Sequence, residues 1–262
     1  MEILIPILTL GVLGLIFGIG LAVASKKFEV HVDPRLEKIH GLLPGANCGA
    51  CGGAGCFGFA EAVLSGKMPI EQCKATDDQN KEAIAKIVGI ELKKEAKTVA
   101  VLHCNGGNKV KDKFFYLGIK DCVAANLLLG GPKECPYCCL GFGTCVKACP
   151  FGALKMSNQG LPVINPVKCK ACNKCVLACP KKIFSLVPVA KNVYVACSSR
   201  ELGKDTKSAC PVGCIACKLC EKTCKFDAIH VTDNLAVIDY NKCTSCGECT
   251  KACPVKCINM RV

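Results

Sequence analysis

Tryptophan is absent from this 262-residue chain, and aromatic residues make up only 5% of it. Proteins that hold single-stranded nucleic acid stack its bases on aromatic side chains, so this composition argues against a nucleic-acid partner. The chain also lacks a G-x-G-x-x-G fingerprint between a strand and a helix, and it has no evident catalytic triad. Neither NAD nor flavin is therefore expected to bind to this chain.

The amino-terminal segment lacks charge, because no charged residue occurs in residues 3–24. These 22 residues would make a helix of about 33 Å, which is enough to cross a bilayer core. Lys26 and Lys27 follow, whereas only Glu2 precedes, so the positive-inside rule predicts a single-pass anchor with its amino terminus outside the cell membrane and the rest in the cytoplasm. A cleaved signal peptide is the alternative, and the small residues near the end of the run favour it. The missing basic start and the long apolar run favour an anchor.

Cysteine, in contrast, is abundant, with 26 residues in the chain. Disulfide scaffolds with so much cysteine are usually short secreted domains, and this chain is too long for that class. Its cysteines also fall in tight runs whose members converge on one point. This pattern predicts metal ligation in a reducing compartment.

Two complete C-x2-C-x2-C-x3-C-P runs are present, and this is the bacterial ferredoxin motif. In that motif three cysteines bind one 4Fe–4S cluster and the fourth binds the neighbouring cluster. Zinc sites more often use two separated pairs of ligands. The two runs are Cys169, Cys172, Cys175 and Cys179 before Pro180, and Cys243, Cys246, Cys249 and Cys253 before Pro254.

The cysteine positions also reveal an internal repeat. Cys135, Cys139, Cys145 and Cys149 recur 75 residues later as Cys210, Cys214, Cys220 and Cys224, and the two complete runs are offset by 74 residues. Two copies of one cluster-binding unit therefore follow each other. The predicted division is a transmembrane anchor at 1–27, a 4Fe–4S domain with a following helix at 28–97, and ferredoxin-like units at 98–190 and 191–262.

In the second unit the exchange of the fourth cysteine assigns two ligand sets. One is Cys214, Cys217, Cys220 and Cys253, and the other is Cys224, Cys243, Cys246 and Cys249. On this assignment Cys210 is redundant. Replacing Cys217 by serine should damage one cluster of this unit, whereas replacing Cys210 should not.

The first unit departs from the pattern, because Phe142 stands where the repeat has Cys217. We expect Cys135 to replace the missing ligand, although Cys138 competes with Cys135 or Cys139. The predicted ligand sets of this unit are Cys135, Cys139, Cys145 and Cys179, and Cys149, Cys169, Cys172 and Cys175.

The amino-proximal group has the spacing C-x2-C-x4-C-x16-C and is rich in glycine, which lets the backbone fold tightly around a cofactor. It predicts a fifth 4Fe–4S site, with zinc as the alternative. A helix is expected over residues 57–65, an amphipathic helix over 77–97 with Ile84, Ile87 and Val88 on one face, and a strand over 98–103. The ligands of the group are Cys48, Cys51, Cys56 and Cys73.

Six cysteines remain after these five sites: Cys104, Cys122, Cys138, Cys197, Cys210 and Cys257. Most are expected to be buried thiols without a ligand role. A further metal site that uses Cys104 and Cys122 is an open alternative. His103 could join such a site, although a plain histidine at a strand end is the simpler interpretation.

The predicted fold class is α+β, with a transmembrane helix, a small four-cysteine 4Fe–4S domain and two tandem ferredoxin-like units of two clusters each. The formal charge of +13 counts every cysteine as neutral. Five clusters with 20 thiolates would add about −10, which leaves a holoprotein near +3. This small net charge again argues against nucleic-acid binding.

The segments LPGANCGACGGAGCFGFAEA, HCNGG, GIKDC and CLGFGTCVKACPFGAL, after an anchor that ends in ASKKF, resemble the B subunit family of Rnf complexes, in its longer clostridial form. The resemblance covers essentially the whole chain. It implies a subunit of an ion-translocating ferredoxin:NAD oxidoreductase that takes electrons from soluble ferredoxin and passes them to the other, membrane-embedded subunits. The family pattern has glycine where Cys138 stands.

On this interpretation the chain alone is an electron carrier without substrate chemistry. Its surface lysines either steer an acidic ferredoxin or form a solvated face; examples are Lys93, Lys94, Lys97, Lys109, Lys111 and Lys113. The alternatives are a polyferredoxin subunit of another membrane oxidoreductase, a zinc-rich structural scaffold, and a redox-sensing regulator. The last is disfavoured because the chain has no recognisable DNA-binding segment.

Overall fold

The computed structural model describes residues 4–28, 33–92 and 96–261. Glu2 and Ile3, which enter the anchor prediction, and Lys93 and Lys94 lie outside the described residues. Within them, the predicted mixture of helices and strands is confirmed.

Helix α1 spans Leu4–Lys27. Its 24 residues correspond to about 36 Å of helix. The segment Ile7–Lys27 is long and apolar enough to cross a membrane, and none of it is buried inside the protein. Lys26 and Lys27 occupy the last turn, as the sequence predicts.

Three helices and a short 3-10 turn surround the amino-proximal cysteines. The core of this domain contains Phe59, Val63 and Ile84, all at most 1% exposed. The helix predicted over 57–65 is confirmed. The helix predicted over 77–97 is wrong from residue 89 to residue 92, because Gly89 takes a left-handed conformation (φ 80°) that ends the helix. Residues 93–95 of that prediction lie outside the described residues. The elements are α2 (Pro34–Leu42), α3 (Gly55–Leu64), the 3-10 turn Ile70–Gln72 and α4 (Asp78–Val88).

The rest of the described chain contains four two-stranded antiparallel sheets. In each repeat the first strand pairs with the last and encloses the pairing of the two middle strands, so the same topology occurs twice. The strand predicted at 98–103 is confirmed, ending one residue earlier. The first repeat has β1 (Thr98–Leu102) with β4 (Phe184–Pro188), and β2 (Leu154–Met156) with β3 (Pro162–Ile164). The second has β5 (Val193–Val195) with β8 (Ile258–Met260), and β6 (Ile229–Thr232) with β7 (Leu235–Ile238).

Six short helices complete the two repeats. Four of them carry a cysteine as their second residue, and these are Cys145, Cys175, Cys220 and Cys249. The helices are α5 (Cys122–Leu127), α6 (Thr144–Lys147), α7 (Lys174–Ala178), α8 (Gly203–Ala209), α9 (Leu219–Thr223) and α10 (Glu248–Ala252). The fold thus presents each third cysteine of a motif on the first turn of a helix.

Candidate metal centres

The four amino-proximal cysteines line one cavity of about 580 Å³, as the sequence groups them. The Asn47 side chain holds the start of α3, because its Oδ1 accepts a hydrogen bond from the Cys56 backbone N–H at 2.8 Å. The Thr76 hydroxyl donates to Cys73 Sγ at 3.1 Å. Gly53 lies against Phe59, so closely that a Cβ on this glycine would sit 2.9 Å from the Phe59 Cβ. The chain is therefore folded tightly around this cavity.

The four cysteine loops of the repeats share one backbone geometry. In each loop, the residues just before and just after the middle position have positive φ angles between 50° and 81°. Successive backbone N–H groups in such turns form concave anion sites that iron–sulfur centres commonly use. The paired residues are Gly141 and Gly143, Ala171 and Asn173, Ala216 and Lys218, and Ser245 and Gly247. The loop with Phe142 at its middle thus keeps the geometry of the three loops with a central cysteine.

In each repeat, the fourth cysteine of the first cysteine run lies in a cavity with the first three cysteines of the second run. Cys149 lines a cavity with the first three cysteines of the run that begins at Cys169. Cys224 lines another with the first three of the run that begins at Cys243. Burial raises the pKa of the Cys220 thiol to about 11. Cys214, Cys217 and Cys253 lie near enough to Cys220 to add to this rise. The structure therefore brings these twelve cysteines together in the predicted groups: Cys149, Cys169, Cys172 and Cys175; Cys224, Cys243, Cys246 and Cys249; and Cys214, Cys217, Cys220 and Cys253.

The remaining group of the first repeat differs from the prediction. The cavity lined by Cys139, Cys145 and Cys179 is completed by Cys122. Cys135, which the sequence groups with these three cysteines, lines a different cavity in the structure.

The start of α5 places Cys122 at this cavity. Asp121 caps the helix, because its Oδ1 accepts from the backbone N–H groups of Val123 and Ala124. Its Oδ2 accepts from the Thr144 hydroxyl at 2.7 Å, and Thr144 Oγ1 accepts from the Cys122 N–H at 2.8 Å. The start of α5 is thereby tied to the start of α6, which carries Cys145.

The comparison of the two repeats points to Cys122 only with the help of the structure. At the 75-residue offset Cys122 aligns with Cys197, but Cys197 follows β5 as Cys104 follows β1, so Cys122 has no structural counterpart in the second repeat. Phe142 marks a cysteine that is missing only from the first repeat. An unmatched cysteine in the repeat that lacks one is a candidate for the vacant ligand position. Cys104 and Cys122, which the alternative site would pair, line different cavities in the structure.

These cavities fit iron–sulfur clusters in three respects. Backbone N–H groups point at the sulfur of three fourth-position cysteines, each from four residues further on: Ala153 to Cys149, Ala228 to Cys224 and Cys257 to Cys253, all at 3.4 Å. Such hydrogen bonds stabilise the charge of a ligated cluster. Without iron, burial raises the pKa of Cys145 and of Cys175 to about 12 each, so these thiolates need a cation beside them.

The spacing of the thiols is the third way in which these cavities fit iron–sulfur clusters. Among the described residues, no three His, Cys, Asp or Glu side chains converge closely enough to hold a single metal ion. Thiolates on one zinc ion would lie about 3.8 Å apart, given Zn–S bonds of about 2.3 Å. A four-iron cluster holds its thiolates farther apart, and four cysteines are its usual ligands. The four-cysteine cavities therefore fit four-iron clusters.

The amino-proximal cavity adjoins the first repeat. Ala171, Cys172 and Leu186 of that repeat also line it. Cys48 lies near enough to Cys172 to contribute to the rise in the pKa of Cys172, after burial as the main cause. Phe151 packs against the core of the amino-proximal domain. The two sites are thus direct neighbours.

Taken together, the cavities and their cysteines define an iron–sulfur protein. The Fe-S cluster family matches residues 43–75, and the 4Fe-4S dicluster domain family matches residues 213–257. The chain therefore carries 4Fe–4S clusters.

Curated relatives extend the match to nearly the whole chain. The B subunit of the Na⁺-translocating ferredoxin:NAD⁺ oxidoreductase complex of Acetobacterium woodii is 46% identical over 98% of this chain and 78% of its own length. The B subunit of the proton-translocating ferredoxin:NAD⁺ oxidoreductase complex of Clostridium ljungdahlii is 45% identical, over 98% and 90%. The B subunit of the ion-translocating oxidoreductase complex of Methanosarcina acetivorans is 42% identical, over 95% of each chain. The chain belongs to this family of B subunits, the Rnf family that its sequence resembles.

Proposed function

We propose that this chain is the electron-transferring B subunit of a membrane-bound, ion-translocating ferredoxin:NAD oxidoreductase. It accepts electrons from reduced ferredoxin and relays them through 4Fe–4S clusters to the membrane subunits of the complex. The observation that carries this proposal is the set of four-cysteine cavities, two of which adjoin, on a chain that also has an exposed helix of membrane length. The names of the Acetobacterium and Clostridium relatives support ferredoxin and NAD⁺ as the redox partners of the complex.

Five clusters follow from the groups described above. Their proposed ligands are Cys48, Cys51, Cys56 and Cys73; Cys122, Cys139, Cys145 and Cys179; Cys149, Cys169, Cys172 and Cys175; Cys214, Cys217, Cys220 and Cys253; and Cys224, Cys243, Cys246 and Cys249.

Each cluster, when bound, takes up and releases one electron. The residues of the chain hold the thiols in place, keep water away and donate hydrogen bonds to sulfur. The N–H groups of Ala153, Ala228 and Cys257 are such donors. Hydrogen bonds to sulfur and low solvent exposure are the means by which a protein sets cluster potentials. NAD and flavin are expected to bind to other subunits.

The orientation proposed is an amino terminus outside the membrane and clusters in the cytoplasm, because Lys26 and Lys27 lie at the carboxyl end of α1. Lys109, Lys111 and Lys113 form an exposed basic stretch that suits an acidic ferredoxin. Lys97 is engaged with Asp78 at 2.8 Å and is a weaker candidate for this contact.

The test uses the full chain, purified without exposure to air. We expect at least about 20 iron and 20 sulfide per chain, negligible zinc, and visible absorbance that bleaches when reduced ferredoxin is added. The bleaching rate should fall as salt is raised, because screening weakens steering between charged proteins. A colourless, zinc-loaded chain, or a brown chain that reduced ferredoxin leaves unchanged, would refute the proposal.

A further inference from the structure

Five buried cysteines meet at the boundary between the two repeats. Four of them belong to none of the five groups above, and the sequence predicts that the fifth, Cys135, belongs to one. They line one cavity together, and they are Cys104, Cys135, Cys138, Cys197 and Cys210. None of them is more than 9% exposed. Such a concentration of thiols is unusual for residues that only fill space, because isolated structural cysteines are normally dispersed through a core.

Four of these five cysteines form two matched pairs. Cys104 stands two residues after the end of β1, and Cys197 stands two residues after the end of β5, so they occupy the same place in the two repeats. Cys135 stands four residues before Cys139, and Cys210 stands four residues before Cys214. Each repeat therefore contributes one cysteine from a strand end and one from the approach to its cluster loop.

The backbone contacts of the strand-end cysteines are also matched. The Cys139 N–H donates to Cys104 Sγ at 3.4 Å, and the Cys214 N–H donates to Cys197 Sγ at 3.3 Å. Thiols from the two repeats also lie close to each other. A Cβ on Gly106 would lie 3.3 Å from Cys210 Sγ and 3.8 Å from Cys104 Sγ, so two thiols from different repeats converge on this glycine.

We propose that Cys104, Cys135, Cys197 and Cys210 bind a sixth 4Fe–4S cluster at the boundary between the two ferredoxin-like units. Four cysteine thiolates are the usual ligand set of such a cluster. Among the described residues, no side-chain group is tight enough for a single metal ion. Cys138 is excluded from the set because Gly213 takes its place in the second repeat, so it has no matching partner.

His103 is not a ligand but forms hydrogen bonds across this boundary. Its Nδ1 is 2.7 Å from the carbonyl oxygen of Val195, and its Nε2 is 2.6 Å from Ser185 Oγ. The Ser198 hydroxyl donates to the His103 carbonyl oxygen at 2.9 Å. With both ring nitrogens engaged, His103 joins the first repeat to β5 of the second and holds the two halves of the site together.

The sixth cluster would carry electrons between the two ferredoxin-like units. This role rests on the proposed function. Cys139 and Cys214 belong to cluster groups on either side, and their N–H groups bond to sulfurs of the new site. Electrons that reach one unit thus have a route to the other through directly bonded groups.

Iron and sulfide analysis of anaerobically purified full chain tests the site. We expect about 24 iron per wild-type chain, about 20 in Cys104→Ser and in Cys197→Ser, and about 24 in the matched control Cys138→Ala from the same cavity. The double variant Cys104→Ser/Cys197→Ser should lose no more iron than either single variant, because both changes remove the same cluster. Unchanged near-ultraviolet circular dichroism and a monodisperse elution profile show that the variants are folded.

Several outcomes would overturn the proposal. These are about 20 iron in the wild type with no loss in either variant, one zinc per wild-type chain that the variants lack, or loss of iron in Cys138→Ala. Wild-type protein with about 24 iron that reduced ferredoxin fails to bleach would leave the site standing and refute the electron-transfer function instead.

Discussion

Cys48 and Cys172 line the same cavity, although 124 positions separate them in the chain. Cys48 belongs to the amino-proximal group and Cys172 to a group of the first repeat. We therefore expect the two clusters proposed there to be adjacent and to exchange electrons.

This adjacency predicts magnetic coupling between the two reduced clusters. The electron paramagnetic resonance spectrum of the fully reduced chain should show broadening that Cys51→Ser removes, because that variant lacks the amino-proximal cluster. Cys246→Ser, which removes a cluster of the second repeat, is the matched control and should leave this broadening in place. Equal effects of the two variants would contradict the adjacency.

Cys122→Ser should cost about four iron per chain, because Cys122 completes the cavity of Cys139, Cys145 and Cys179. Iron and sulfide analysis measures the loss, with Cys138→Ala as a control that removes a buried thiol from a different cavity. Full iron content in Cys122→Ser would restore Cys135 to the predicted group.

Asp121→Ala should weaken the same cluster without removing a ligand. Loss of a capping side chain costs about 1 kcal/mol, and here it also frees Thr144 from its bond to Asp121. We expect faster release of about four iron per chain to a chelator. Asp233→Ala is the control, since Asp233 only forms an exposed ion pair with Arg200, and its release rate should match the wild type.

Gly53→Ala should destabilise the amino-proximal domain by about 1–3 kcal/mol, because the new Cβ meets the Phe59 backbone at 3.0 Å. Gly41→Ala is the matched change in α2, where a Cβ meets nothing within 4 Å and alanine favours the helix. Thermal unfolding followed by calorimetry, together with iron retention, compares the two. A lower transition temperature in Gly41→Ala than in Gly53→Ala would contradict the packing argument.

Cys217→Ser and Cys210→Ser should each cost about four iron, but from different sites. Their double variant should therefore lose about eight, since Cys217 lies with Cys220 and Cys253 whereas Cys210 lies with Cys104. The sequence alone predicts that Cys210→Ser leaves every cluster intact. Additive loss in the double variant would separate the two sites, and loss from Cys217→Ser alone would uphold the sequence-based prediction.

The sequence predicts those parts of the site that local spacing determines. The C-x2-C-x2-C loops, the helix that begins beside Cys56 and the strand before Cys104 depend on residues near one another in the chain, and each lies where the sequence predicts it. Gly89 is also a recognisable helix end, but the charged residues beyond it suit a helix equally well, and this is why the predicted α4 is too long.

The groupings that the sequence does not predict depend on contacts between distant segments. Cys135 is only four positions from Cys139, and that closeness suggests a shared cluster. In the structure, hydrogen bonds from Asp121 and Thr144 instead hold Cys122 at the cavity of Cys139, and Cys122 and Thr144 are 22 positions apart in the chain. Likewise, no local pattern indicates that Cys210 lies beside Cys104, since their meeting requires the two repeats to pack together.

The matched cysteine pairs at the boundary have a consequence for how such a chain arises by duplication. A single ancestral unit would carry only a strand-end thiol and a thiol before its loop, which is half of a ligand set. Two fused copies, linked by His103 as they are here, provide all four ligands at the boundary between them. The duplication would then have created a redox centre that neither copy possessed, and with it the continuity between two formerly separate ferredoxins.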